Sequence, residues 1–171
     1  MNNHIVFIIH FLRNCLKLTY PEKRPQNGQE MADFLMKKLN PLFEKSEIEF
    51  AYLGGSWSEG ANYWWSDIDI FVSLPHYKQK YSEAQLTYLT QLTMKMTEIT
   101  YFDEIEISVF EKLPLHVQFD VIYNGILLYE KTPGVKANFV EKLLPKYYDH
   151  MIWYERLLKH SNFLSTSEKS K

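Results

Sequence analysis

The sequence of 171 residues predicts a fold of the α+β class. Three short segments, at 48–53, 67–74 and 104–110, have the alternating or continuous apolar pattern of strands. Longer segments, in which apolar residues recur every three or four positions, lie before, between and after them. A hydrophobic fraction of 46% and an aromatic fraction of 16% are enough to build a packed core, which excludes an intrinsically disordered chain.

The helices are predicted from apolar spacing and from the residues at their ends. One helix is expected from Gln29, with Pro41 ending or kinking it, and a second over 82–99. A broad apolar stripe predicts a final helix over 132–160, bent at Pro145. The domain therefore alternates helices with short strands before it closes on a long helix.

The chain has the length of one domain. We divide it into an N-terminal extension (1–28), a domain that ends in the long helix (29–160) and a flexible polar tail (161–171). Within the extension, residues 1–20 have the spacing of an amphipathic helix, and no apolar run is long enough to predict a membrane span. The single cysteine, Cys15, fits a cytoplasmic location. A net charge of −2 without a long basic run gives no support for a polynucleotide partner.

Two carboxylates enter an apolar strand ten residues after a Gly-Ser pair. Asp67 and Asp69 point to the same face of a strand, with their Cα atoms about 6–7 Å apart, so that both can bind one Mg²⁺ or a pair of them. Gly55 and Ser56 close the preceding strand, where glycine lets the backbone approach a phosphate. The alternative, a glycine-rich turn followed by a capping Asp, does not account for two acids in an apolar run.

The whole constellation resembles the nucleotidyltransferase superfamily that includes DNA polymerase β. Its signature is Gly-Ser, about ten residues, then Asp-x-Asp, and the nearest branch is similar to the minimal (MNT-type) nucleotidyltransferases over about residues 30–160. The resemblance implies a polymerase β-like palm, a small mixed sheet with helices packed mainly on one face. Residues 115–123 fit either a strand or a helix, and the resemblance favours a helix followed by a short strand at 125–130.

The superfamily also needs a third carboxylate on a strand beside the Asp-x-Asp strand. The segment that contains Glu106 lines up with the minimal family's pattern without a gap, with Glu in place of Asp, and Glu104 is the alternative. Without the upstream motif, an edge strand with one solvated charged face would explain the same residues. The resemblance implies catalysis and binding of two Mg²⁺ ions by Asp67, Asp69 and Glu106, and binding of the ATP phosphates by Gly55 and Ser56.

The spacer after the Gly-Ser pair departs from the family pattern. The minimal family continues Gly-Ser-x-Ala-Arg-Gly, whereas this chain has Glu59 in place of the Arg. An acid beside a polyanion either weakens nucleotide binding, changes the nucleotide that is bound, or marks a variant whose site is supported by a partner. Lys78, Lys80 and Lys112 are the candidates for compensating cations. The spacer is also rich in aromatic residues, which either pack the loop onto the core or stack on a base or acceptor: Trp57, Tyr63, Trp64 and Trp65.

The resemblance implies transfer of AMP from ATP to a tyrosine of a partner HEPN ribonuclease toxin, so that the protein acts as an antitoxin. A small hydroxylated acceptor, such as an aminoglycoside or a lincosamide, is the alternative substrate. A partner-binding module with weak catalysis is an alternative of another class. An Asp-x-Asp glycosyltransferase is disfavoured, because the chain lacks the expected length and nucleotide-binding half.

Overall fold

The computed structural model describes residues 24–63, 65–77 and 82–167. The helix expected within residues 1–20 lies outside these ranges, as do Trp64, Lys78 and Lys80. The elements follow one another as α1 (Gly28–Glu44), β1 (Phe50–Leu53), α2 (Gly55–Ser58), β2 (Ile68–Val72), α3 (Glu83–Thr100), β3 (Ile105–Val109), a 3₁₀ turn (Phe110–Lys112), α4 (Leu115–Asn124), β4 (Ile126–Glu130) and α5 (Val135–Ser167). The α+β prediction is confirmed, and residues 115–123 form a helix.

The four strands form one mixed, open sheet in the order β3-β2-β1-β4. Strand β1 pairs antiparallel with both β2 and β4, whereas β2 and β3 are parallel. The two motif-bearing strands, β2 and β3, are therefore neighbours and run in the same direction. Their N-terminal ends lie at the same end of the sheet as the C-terminal end of β1, which leads into the Gly-Ser pair.

Helices pack mainly on one face of the sheet, as predicted. Because successive side chains of a strand alternate between faces, Ile68 and Ile70 join a large core cluster that also holds the buried sides of α1 and α3. A smaller cluster on the other face is built around Phe50 and Phe110, and α4 and the start of α5 pack against it. The second face is therefore only partly covered, and the site carboxylates belong to it.

The structure corrects three boundaries of the predicted helices. Helix α1 runs through Pro41 to Glu44, because Leu39 and Phe43 on either side of the proline are both fully buried. The Gly-Ser pair, expected to close the preceding strand, instead begins a four-residue helix, α2, that extends into the spacer. Helix α5 continues through Pro145 to Ser167, so the tail expected from residue 161 is helical for seven further residues. Extending an existing helix adds one hydrogen bond per residue without a new nucleation cost.

In the part of the chain that the structure describes, the helices lack any apolar stretch long enough to cross a lipid bilayer.

Candidate active site

The turn that leads from β1 into α2 is hydrogen-bonded to the strand that carries Asp69. The Gly54 N–H donates a 3.0 Å hydrogen bond to the Asp69 carbonyl oxygen. Gly55 then begins α2 with φ +61°, a left-handed conformation that favours glycine. A Cβ on Gly55 would collide with Oδ2 of Asp69, and a Cβ on Gly54 would collide with the Phe71 ring. Gly55 therefore allows the close approach of this turn to the carboxylate, and Gly54 allows its close packing on Phe71.

The three predicted carboxylates lie at one end of the sheet. Asp69 and Glu106 are register partners on the parallel strands β2 and β3, so their Cα atoms are about 4.7–4.9 Å apart. Asp67 immediately precedes β2. Asp67 and Glu106 are exposed, whereas Asp69 is half-buried. The neighbouring Ile68 is buried in the large cluster, so Asp69 faces the other, partly open side of the sheet.

The three carboxylates are close enough for the charges of two of them to affect the ionisation of the third. Burial raises the pKa of Asp69 above its ordinary value, and the negative charges of Glu106 and Asp67 raise it further. Like charges that are close together disfavour ionisation, because each opposes the charge of the other. A cation placed between them would relieve this repulsion.

The same donors are chemically suited to magnesium, because Mg²⁺ prefers carboxylate oxygens and retains several waters. Among residues 24–63, 65–77 and 82–167, no group of three or more His, Cys, Asp or Glu side chains is arranged as a complete metal site. Metal binding by Asp67, Asp69 and Glu106 therefore stays a prediction, supported by the donor chemistry and by the mutual repulsion of the three charges.

Glu104, the alternative third carboxylate, has another contact. Its Oε1 lies 3.8 Å from Nη1 of Arg24, and the two side chains are only 21% and 19% exposed. Its carbonyl oxygen accepts a 2.8 Å hydrogen bond from the Ile68 N–H, which ties β2 to the start of β3. Glu106 is therefore better placed to face a substrate. Sequence reasoning gave Arg24 no role, because a single arginine in a proline-containing loop has no spacing pattern.

The aromatic spacer divides into a buried and an exposed part. Trp57 is 1% exposed and belongs to the large core cluster, so the packing interpretation holds for it. Tyr63 and Trp65 are 63% and 59% exposed and stack on each other, with ring centroids 5.1 Å apart and planes 7° apart. This stacked pair lies on the surface just before Asp67.

Glu59 stands at the C-terminal end of α2, where its N–H donates a 3.2 Å hydrogen bond to the Gly55 carbonyl oxygen. Its side chain is exposed. Of the three lysines considered as compensating cations, Lys112 is the one that the structure describes. It lies in the 3₁₀ turn after β3, whereas Glu106 lies near the start of that strand. Lys112 is therefore at the far end of β3 from the carboxylates.

The fold is similar to those of several chains from solved toxin–antitoxin complexes. One, in a crystal structure of a toxin–antitoxin with AMP-PNP, is 19% identical, with a TM-score of 0.56 over 75% of this chain and 95% of that one. Another, from the tri-AMPylated Shewanella oneidensis HEPN toxin in complex with MNT antitoxin, is 18% identical, with a TM-score of 0.54 over 75% and 97%. A third, from the toxin–antitoxin MntA-HepT, is 16% identical, with a TM-score of 0.53 over 74% and 96%. At these identities the likeness establishes the fold.

No curated protein matches the sequence. The family model described as "Polymerase beta, Nucleotidyltransferase" matches residues 37–133, a range that includes β1, the Gly-Ser turn, both Asp residues of Asp-x-Asp and Glu106. This match spans more than half of the chain and contains the turn and carboxylates whose geometry is described above. The chain therefore belongs to the polymerase β-type nucleotidyltransferase family.

Proposed function

We propose that the protein transfers AMP from ATP to a tyrosine hydroxyl of a partner HEPN-type toxin, and so acts as its antitoxin. The observation that carries the nucleotidyl-transfer part is the placement of Asp69 beside Glu106, with the backbone of Gly55 against the Asp69 carboxylate. In this arrangement, the turn that we propose binds the phosphates lies beside the carboxylates of Asp69 and Glu106. Family membership supports the same reaction class.

The choice of donor and acceptor rests on the chains that share the fold. One is from a complex with AMP-PNP, and another is from a complex of an MNT antitoxin with a tri-AMPylated HEPN toxin. This chain covers 95% and 97% of those two chains, so the similarity extends over nearly all of their length. ATP as donor and a toxin tyrosine as acceptor are therefore the substrates that we propose for this chain.

In the proposed reaction, the Gly-Ser turn holds the triphosphate. The N–H groups in the first turn of a helix have no partner within that helix, and α2 begins at Gly55. These groups and the Ser56 hydroxyl can therefore donate hydrogen bonds to the β- and γ-phosphates. A Cβ on Gly55 would collide with Asp69, so the turn lies close to this carboxylate, which supports the proposal.

The carboxylates orient the reacting groups. Magnesium bound by Asp67, Asp69 and Glu106 would neutralise charge on the triphosphate and lower the pKa of the attacking hydroxyl. Glu106 is exposed on the open face of the sheet, where it can accept the proton of the acceptor hydroxyl. The acceptor oxygen forms a bond to the α-phosphorus as the bond from that phosphorus to the bridging oxygen breaks, and pyrophosphate leaves.

One observation favours a second candidate, a partner-binding module with weak catalysis. Glu59 places an exposed acid at the end of the helix that begins with the Gly-Ser turn. Such a module would share the fold and the partner but would not bind ATP tightly. Thermal unfolding with and without millimolar Mg·ATP separates the two candidates, since only a protein that binds the nucleotide is stabilised.

The decisive experiment is to purify the protein with its bound partner, add Mg²⁺ and each nucleoside triphosphate, and measure intact masses. We expect the partner to gain one or more AMP groups with ATP, and Asp67→Ala to abolish the gain. An aminoglycoside or lincosamide added in a parallel reaction tests the alternative acceptor. Modification of the drug with an unmodified partner would overturn the protein-acceptor proposal, and no modification of either would favour the binding module.

A further inference from the structure

Arg24 is a largely buried cation in a position that the family match does not include. It lies in the segment before α1, outside the matched residues 37–133. Its side chain is only 19% exposed. Burying a charge costs free energy unless partners compensate. The contacts of this side chain therefore show which parts of the structure it holds together.

The guanidinium contacts four residues from three separate segments. Nη2 donates a 3.3 Å hydrogen bond to the Ser66 carbonyl oxygen, and Nη1 lies 3.8 Å from Oε1 of Glu104. The central carbon lies 5.9 Å from the ring centroid of Trp57 and 5.2 Å from that of Phe102, within the range of cation–π attraction. One side chain therefore bridges α2, the spacer and the start of β3.

Each of those three segments carries part of the candidate active site, within two residues of the contact. The neighbouring pairs are Trp57 with Ser56, Ser66 with Asp67, and Glu104 with Glu106. A shift of the guanidinium would therefore move the phosphate-binding turn and two of the carboxylates relative to one another. A misplacement of about 1 Å is enough to cost an enzyme about a hundredfold in rate.

Arg24 lies behind the site and does not line it. Trp57 and Phe102 both belong to the large core cluster that packs with α1 and α3. Asp69 faces the opposite side of the sheet, because its neighbours Ile68 and Ile70 are buried in that same cluster. Any effect of Arg24 on a reaction at Asp69 must therefore pass through the residues it holds.

We propose that Arg24 is a positioning residue that fixes the phosphate-binding turn, the residue before Asp67 and the start of β3 in one arrangement. The inference depends on the proposed nucleotidyl transfer, and it also makes Glu104 part of the support for Glu106. Arginine suits this place because its planar group can lie against aromatic rings while its N–H groups reach two acceptors. A lysine would keep the positive charge but would lack the planar guanidinium and its forked N–H groups.

The test compares Arg24→Met, Arg24→Lys and Glu104→Gln with the wild-type protein, and uses Arg156→Met as the control. Arg156 is exposed on α5. The variants are first compared by circular dichroism, and all rates are expressed per folded molecule. For Arg24→Met we expect kcat to fall about tenfold and KM for ATP to change less than about threefold, since misplaced acids affect the reacting atoms more than substrate binding. Arg24→Lys should recover part of kcat.

The double variant Arg24→Met/Glu104→Gln should lose little more kcat than Arg24→Met alone, because the two residues act through one contact. Arg156→Met should match the wild type. A folded Arg24→Met protein with wild-type kcat would overturn the inference. A lower yield of folded protein in both the Lys and the Met variant, with a wild-type kcat per folded molecule, would also overturn it, since Arg24 would then support only the fold.

Amide hydrogen exchange provides a readout that does not depend on catalysis. In Arg24→Met, residues 57–66 and 104–106 should exchange about tenfold faster than in the wild type, whereas β4 should be unchanged. If the wild type neither binds nor transfers a nucleotide, the proposed function fails while this measurement still decides the structural role of Arg24. Faster exchange in both segments supports it, and unchanged exchange overturns it.

Discussion

Asp69 and Glu106 stand opposite each other on two parallel strands, and both can reach the open face of the sheet. The proximity has an electrostatic consequence, because burial, Glu106 and Asp67, in that order, raise the pKa of Asp69. Without a bound cation, the ionised forms of these residues oppose one another. The pKa of Asp69 should therefore depend on the charges of Glu106 and Asp67.

Removing the charge of Glu106 should lower the pKa of Asp69 towards its ordinary value. Glu106→Gln keeps the size of the side chain and removes one of the named causes of the shift. The measurement is a ¹³C NMR titration of the Asp69 carboxyl group in the metal-free protein. Glu104→Gln is the control and should shift the titration less. An unchanged Asp69 pKa in Glu106→Gln would contradict the proximity of the two carboxylates.

Asp69→Asn should raise the free energy of unfolding at neutral pH while abolishing transfer. The folded-state pKa of Asp69 is raised, so the folded protein binds a proton more readily than the unfolded chain. Ionised Asp69 therefore destabilises the fold above its raised pKa, less so as the pH falls through that value, and not at all below the ordinary aspartate range. Urea unfolding across pH should show the variant's advantage vanishing in acid. An advantage that is constant with pH would point to another cause.

Glu106→Gln should lower the transfer rate at least about a hundredfold, because a metal ion held by Glu106 as proposed would supply several kcal/mol and each 1.36 kcal/mol is a factor of ten. Glu104→Gln should cost only about threefold, since Glu104 is expected to act through Arg24. Single-turnover rates at saturating Mg·ATP make the comparison. If Glu104→Gln were the more damaging change, the assignment of the third carboxylate would have to be reversed.

Gly55→Ala should damage the site, whereas Gly60→Ala should damage only stability. Both glycines have positive φ, +61° and +71°, so an alanine costs about 1–2 kcal/mol of backbone strain at either position. A Cβ on Gly55 would also collide with Asp69, whereas a Cβ on Gly60 would meet nothing within 4 Å. Urea unfolding and ATP binding together separate the two effects. Normal ATP affinity in folded Gly55→Ala would show that the turn does not hold the nucleotide.

Glu59→Gln should raise the affinity for ATP about two- to fivefold at low salt, because it removes an exposed negative charge near the turn that we propose binds the phosphates. Screening by salt should shrink the difference. Glu98→Gln, an exposed position on α3, is the charge-matched control and should have no effect. Equal affinities for wild type and Glu59→Gln at low salt would show that Glu59 lies too far from the phosphates to matter.

Much of the fold was predictable because local patterns carried the information. The strict alternation around Glu106 and the apolar run after Asp67 predicted strands that the structure places at Ile105–Val109 and Ile68–Val72. Ser82 and Gln85 form a capping box at the start of α3, which the sequence prediction placed one residue earlier. The Gly-Ser and Asp-x-Asp spacing was informative for the same reason, since it combines turn geometry with strand periodicity.

The features that were missed depend on contacts between distant segments. Continuation of α1 through Pro41 depends on the burial of Phe43 against the sheet, which outweighs the missing backbone hydrogen bond. The contact between Arg24 and Ser66 joins residues 42 positions apart, and no local pattern marks it. By contrast, the placement of the Glu106 strand beside the Asp69 strand was expected, but only from the family resemblance, because periodicity alone does not give the strand order.

The hydrogen bond from the Gly54 N–H to the carbonyl oxygen of Asp69 ties the residue before α2 to the N-terminal end of β2. If a triphosphate binds at the turn and a divalent cation binds at the carboxylates, as proposed, each ligand is therefore expected to change the affinity for the other. By thermodynamic reciprocity, the factor by which the cation raises the affinity for the nucleotide equals the factor by which the nucleotide raises the affinity for the cation. Titrating either ligand in the presence and absence of the other would therefore measure the coupling free energy between the two sites.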